Sequence, residues 1–360
     1  MVRRLLAIAL IFCGATVAWM ILGATLLART AESDSTQTER LAAQWGSEQT
    51  QNAPVFGAVI GKKTYGIPLL SSEVRVGLLL DQRRKGLLWY NLYDVSFVAH
   101  YVVRNDTAAG RIYLCLALPS SDGSYRDFAL SIGGRRVPLA LAVSGTNIDF
   151  ALAPGETTTV DVAYTSRGMG TWQYRFGDNV TATNAFHLTM TTNFSAIDFP
   201  PKTLLPVSET PLAHGWRLSW KYSSLVTGNG IGMAFPYPLQ PGPLAERITF
   251  WAPVALLFYL FGMLVVTTLR RIDLHPVNYF FLACAFFAFH LLFAYLVDRI
   301  PIEWAFAICS LVSTFLTISY LRLVAGWRFA AVESGIAQSI YLVLFSYALF
   351  NEGWAGLSIT

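Results

Sequence analysis

Five stretches of this chain, 5–27, 248–269, 276–297, 304–323 and 329–350, are long and apolar enough to cross a bilayer, and this constrains the fold more than anything else. A hydrocarbon layer about 30 Å thick takes roughly 20 helical residues at 1.5 Å each. Lipid offers no partner to an exposed backbone amide or carbonyl, so each stretch must be a helix. Composition agrees, because only 13% of the 360 residues are charged, against about 25% in an ordinary soluble domain. The fifth stretch is the least clean, since it carries Glu333 and Gln338.

The opening segment begins with Arg3 and Arg4, as a secretory signal does. Its apolar run is too long for a signal core and no small-x-small cleavage site follows, so it is predicted to be an uncleaved anchor. If the stretches alternate, Arg3, Arg4, Arg270, Arg271, Arg322 and Arg328 share one side, where positive charge marks the cytoplasm. Residues 30–247 then lie outside, and the short cytoplasmic loops leave no room there for an ATPase, kinase or DNA-binding domain.

Other classes are set aside on specific residues. A net charge of +4 without a long Lys/Arg block excludes nucleic acid as a partner. Cys13, Cys115, Cys284 and Cys309 leave one thiol in the polar middle, so no disulfide framework forms there. GAVIGKKT at 57–64 imitates a phosphate loop but has the wrong glycine spacing and lacks Ser or Thr after the first Lys. The histidines are scattered, with no metal-ligand spacing, and neither a GxSxG elbow nor a glycine-led AVESG motif is present. A non-enzyme without cofactor or metal is expected.

The organisation predicted is a membrane α + β chain: an anchor over 1–29, a polar linker over 30–53, an all-β sandwich-like domain over 54–245 and a helical bundle over 246–360. Segments such as RIYLCLALP, VPLALAVSG, NIDFALAPGE, TTTVDVAYTSRG, GTWQYRFGD, AFHLTMTTNFSAIDF and GWRLSWKYSSL carry β-branched and aromatic residues between Gly, Pro, Asp and Asn turns. Trp172, Tyr174 and Phe176 at period two read as core. In RRKGLLWYNLYDVSFVAHYVV the aromatics are expected to face the core and the charges water. WAGLSIT, after the turn residues 351–353, resembles the first turns of one more span.

Inside the bundle, His290 lies at mid-span, where an ionisable group is costly and by default a functional candidate. Ser310, Thr314 and Thr317 form a stripe on the next span, and Glu333 and Gln338 lie on the fifth. Two readings stay open for these six residues: hydrogen-bonding contacts between helices, or a proton or ion relay through His290 and Glu333. Asp298, Arg299 and Glu303 crowd one external turn, where they are expected to cap helices and anchor the loop.

The segments PGPLAERI (241–248), IDLHPVNY (272–279) and LVLFSYALFNEG (342–353) resemble the CreD family of bacterial inner-membrane proteins, with a looser likeness through the strand region. That resemblance implies an N-terminal anchor, a large periplasmic domain and a C-terminal bundle, in a protein tied to envelope integrity and to responses under two-component control. It supplies no catalytic residues to transfer. Family chains continue with a further span and a basic tail, so the end at Thr360 is expected to be a truncation. The partners expected are the lipid bilayer and an unidentified envelope protein or cell-wall component. The alternative is a small transporter or ion-coupled membrane sensor using His290 and Glu333.

Overall fold

The structure is a computed structural model that describes residues 2–138, 140 and 147–350. Most of VPLALAVSG and the span expected from 354 lie outside the described residues. Two compact units form: a helical one running up to Thr36, over Arg84–Leu88 and from Leu239 onward, and a strand unit of Gln37–Arg83 and Trp89–Pro238.

The first helix, α1, runs over Val2–Trp45. Residues 30–45, expected as part of a polar linker, continue this helix. No glycine or proline interrupts 24–45. The stop comes at Gly46, whose φ of 87° suits a residue without Cβ and whose N–H bonds the Ala42 carbonyl at 2.8 Å.

Fifteen strands, β1–β15 in chain order, are named among the described residues. An eight-stranded sheet has the order β13 (Ser208–Pro211), β14 (Trp216–Thr227), β12 (Thr181–Thr192), β4 (Leu69–Lys85), β5 (Leu88–Arg104), β10 (Thr157–Met169), β7 (Tyr125–Ile132) and β8 (Arg135–Arg136). A four-stranded sheet orders β3 (Lys63–Ile67), β2 (Val55–Ile60), β6 (Arg111–Cys115) and β9 (Ile148–Ala151). A three-stranded sheet orders β1 (Gln49–Asn52), β11 (Trp172–Arg175) and β15 (Ile231–Met233).

Alternation builds the core these sheets share. Along β5, Val95, Phe97, Ala99, Tyr101 and Val103 are buried, while His100 faces out and pairs with Asp161 of β10 at 2.5 Å. Trp172 and Tyr174 are fully buried and Phe176 half-buried against them. The phenols that enter this core keep their hydroxyls bonded: Tyr93 donates to the Thr171 carbonyl and Tyr164 to Gln51 Oε1, both at 2.7 Å. The segment that imitates a phosphate loop is the β2–β3 hairpin, with Ile60 opposite Lys63 and Gly61 at φ 64°.

Four further long helices of the helical unit lie among the described residues: α2 (Pro241–Leu269), α3 (Pro276–Leu296), α4 (Ile302–Ala325) and α5 (Phe329–Ala348). Proline opens α2 and α3, where its missing N–H costs nothing. Gly242 lets α2 start close to α1, since a Cβ there would stand 2.8 Å from Thr30 Oγ1 and 3.0 Å from Leu87 Cβ. The Arg84 guanidinium donates to the Val297 carbonyl and, at 3.1 Å, to that of Ile300, closing the C-terminal end of α3. Arg29 pairs with Asp298 at 3.5 Å and lies over the Tyr295 ring, tying α1 to the same end of α3. Over its apolar stretch each of these helices is apolar on its exposed face as well as inside, with Leu10, Phe250, Phe280, Leu311 and Ile336 open, whereas α1 past Arg29 exposes Glu32, Asp34, Glu39 and Arg40.

Candidate functional site

Where four of these helices meet, the buried residues turn polar. Gln338 of α5 donates from Nε2 to Ser313 Oγ of α4 at 2.8 Å, and Ser313 donates to the Ala285 carbonyl of α3 at 2.6 Å. Thr317, one turn along α4, donates to Gln338 Oε1 at 3.3 Å. Each of Ser313, Thr317, Ser334, Gln338 and the α2 residue Tyr259 is fully buried. The Tyr259 hydroxyl lies within reach of Ser334 and Thr317, yet it and Ser334 Oγ are left without a hydrogen-bond partner. Helical spacing explains the pairing, because Ser313 and Thr317, like Ser334 and Gln338, are four residues apart on one face.

The backbone of α5 is unusual around this network. Phe329–Ser334 and Ser339–Leu344 are π-helical, and the short α-helical turn Gly335–Gln338 lies between them. Such wide turns are rare and concentrate at functional sites, because each departs from the regular carbonyl ladder.

The structure divides the six residues singled out in the sequence. Thr317 and Gln338 enter the network. Ser310 does not, since its hydroxyl bonds back to the Phe306 carbonyl at 2.8 Å, and Thr314 is half-buried beside the network. The hydroxyl that faces inward is Ser313, which the sequence reading passed over along with Tyr259 and Ser334. His290 sits elsewhere in the bundle, in an aromatic surround of Trp19, Phe286 and Phe289 with ring centroids 4.9–5.8 Å away. Its Nδ1 lies 3.2 Å from the Phe286 carbonyl, and Nε2 is buried without a partner. Glu333 is bound to Arg270 at 2.7 Å. His290 and Glu333 thus answer to different neighbours.

The architecture defines a class: a chain with, among the described residues, five helices long and apolar enough to cross a bilayer, carrying a large strand-rich region between the first and the second. Residues 205–354, from the last three strands through the bundle, match the family model of the inner membrane protein CreD. This supports the family resemblance carried by PGPLAERI, IDLHPVNY and LVLFSYALFNEG, and with it an inner-membrane protein. No curated protein matches the chain.

Proposed function

We infer that this is a multi-pass protein of the bacterial inner membrane whose strand unit is sandwich-like, lies in the periplasm and serves envelope integrity or the envelope-stress response without catalysing a reaction. The helical unit anchors it in lipid with the N-terminus in the cytoplasm, and the strand unit meets another envelope protein or a cell-wall component. The family match over residues 205–354 carries the reading. Arg4 at the start of α1, Arg270 and Arg271 just past the end of α2, and Arg322 in the last turn of α4 fall on one side if the helices alternate, which supports the orientation.

Cys115 supplies the topology test, because it is a free, exposed thiol in the strand unit. A membrane-impermeant maleimide is expected to label it in cells whose outer membrane alone has been opened, with Cys115→Ser as control. Labelling only after the inner membrane is breached would overturn the orientation. Photocrosslinking from Val180 or Val226, 71% and 68% exposed, is expected to trap an envelope component. Crosslinks confined to copies of the same chain would overturn the contact role.

One observation favours a second reading, a small transporter or ion-coupled sensor: the Tyr259 and Ser334 hydroxyls are buried and unpartnered amid a polar network. Purified protein in liposomes that moves an ion, and loses that flux while staying folded on Gln338→Leu, would establish it over the first.

A further inference from the structure

The start of α1 meets the end of α2 and the loop that leads into α3 around a cavity of about 670 Å³, lined by Arg4, Thr267, Arg271, Asp273, His275 and Pro276, among others. Arg4 donates to Thr267 Oγ1 at 3.1 Å and to the Tyr279 hydroxyl at 2.5 Å, and its guanidinium lies 5.2 Å from the Tyr279 ring centroid. Among the described residues its one ion-pair partner is Asp273, 3.8 Å away with a side chain fully open to solvent. The Arg4 charge is therefore held in place by neutral groups, and its Nε is buried without a partner.

Arg271 adds a second cation at φ 56°, a left-handed position where glycine or asparagine would sit with less strain. His275 accepts the Val277 N–H on Nδ1 at 3.3 Å, which leaves its Nε2–H as a donor. Arg270, by contrast, is already paired with Glu333.

Further along α1, where it faces α3, runs a groove of about 370 Å³, lined by Ile11, Gly14, Ala15 and Ala18 of α1 and by Ala283 and Phe287 of α3, among others. It is apolar, and small side chains make its floor. From Arg4 to Gly14 the helix rises about 15 Å, which matches the hydrocarbon depth of one leaflet, half of about 30 Å.

We propose that the cavity and the groove, which share α1, bind one anionic phospholipid from the leaflet at the Arg4 end, with its phosphate among Arg4, Arg271 and His275 and an acyl chain along Gly14, Ala15 and Ala283. The proposal rests on the reading that the helical unit sits in a bilayer. Two cations against one solvent-exposed carboxylate select negative charge, and the groove beneath them selects a headgroup that carries a chain. Free phosphate satisfies only the first demand.

The test uses the full chain purified in a neutral detergent. Native mass spectrometry is expected to show phosphatidylglycerol retained and phosphatidylcholine lost, and thermal unfolding to shift upward with the former alone. Arg271→Gln removes an exposed charge and is expected to lower phosphatidylglycerol retention about fivefold. Gly14→Leu fills the groove without a clash, since a Cβ at Gly14 meets nothing within 4 Å, and is expected to abolish retention while leaving the unfolding temperature without lipid unchanged. Equal retention of the two lipids, equal stabilisation by inorganic phosphate, or undiminished retention in Gly14→Leu would each overturn the proposal. Resistance of the chain to alkaline extraction from membranes reports on the bilayer reading separately. A chain that stays in the membrane yet ignores headgroup charge would sink the lipid site alone.

Discussion

Gln338 Nε2 donates to Ser313 Oγ at 2.8 Å, and through that bond α5 is fastened to a hydroxyl that is itself fastened to α3. The link joins three helices with two hydrogen bonds. Gln338→Leu removes the Ser313 contact and leaves the Thr317 hydroxyl without its acceptor. It is expected to cost about 1 kcal/mol, in the range of interhelical polar contacts in membranes. Unfolding in detergent against a denaturant measures it, and Ser313→Ala together with Gln338→Leu should cost less than the sum of the two.

Arg84→Ala uncovers the Val297 and Ile300 carbonyls at the end of α3. Charge-assisted bonds of this kind are worth about 1.5–3 kcal/mol each, so a loss of about 3 kcal/mol is expected for the pair. Arg84→Lys should recover only part of it, because an ammonium cannot reach both carbonyls with a fixed fork. Hydrogen exchange at the last turn of α3 should speed up in step.

Gly242→Val sets a branched side chain against Thr30 and Leu87, which a Cβ alone already meets at 2.8 and 3.0 Å. Overpacking of this kind costs about 1–3 kcal/mol. Gly242→Ala should cost less than Gly242→Val, and thermal unfolding of the purified chain ranks the two.

Alkali tests the strand core. Burial pushes the phenols of Tyr93, Tyr101, Tyr164 and Tyr174 above their ordinary range. A group raised in the folded state keeps its full contribution below the unfolded pKa, about 10 for tyrosine, and loses it as pH climbs from there toward the folded value. Stability is therefore expected to be flat with respect to these groups below about pH 10 and to fall above it. Phenolate absorbance from these four rings should appear together with loss of near-ultraviolet circular dichroism, and their early ionisation in a still-folded chain would contradict their burial.

The five helices were legible because hydropathy over about twenty residues has no other reading. Strands with alternating burial, such as Val160, Val162 and Tyr164 on β10, were legible by the same logic at period two. The extension of α1 to Trp45 is faint in the sequence, because from Glu32 to Arg40 no apolar residue stands and the buried Leu41 comes only in the last turns, too late to draw a stripe. Its signal was negative: the lack of glycine and proline before Gly46.

The inner face of α4 was missed for a related reason. Ile308, Leu311, Leu316 and Leu323 are exposed and apolar, so the outside of the helix looks like the inside, and nothing in the sequence marks Ser313 over Ser310 or Thr314. Glu333 had a readable partner in Arg270, on the loop the alternation places at the same end. The π-helical turns are products of tertiary packing, and local sequence carries no rule for them.

Those turns in α5 have a rotational consequence. Successive residues of an α-helix step around the axis by about 100°, and a wide turn holds more residues than the regular spiral would. Deleting one residue within Phe329–Ser334 would let that turn tighten to the regular spiral, where five residues cover nearly the arc of six wider ones, and Gln338 would keep roughly its bearing on Ser313. The same deletion in a regular α-helical stretch has no slack to take up and would swing the rest by about 100°. What the wide turn holds is slack, a residue of length stored without a change of compass bearing.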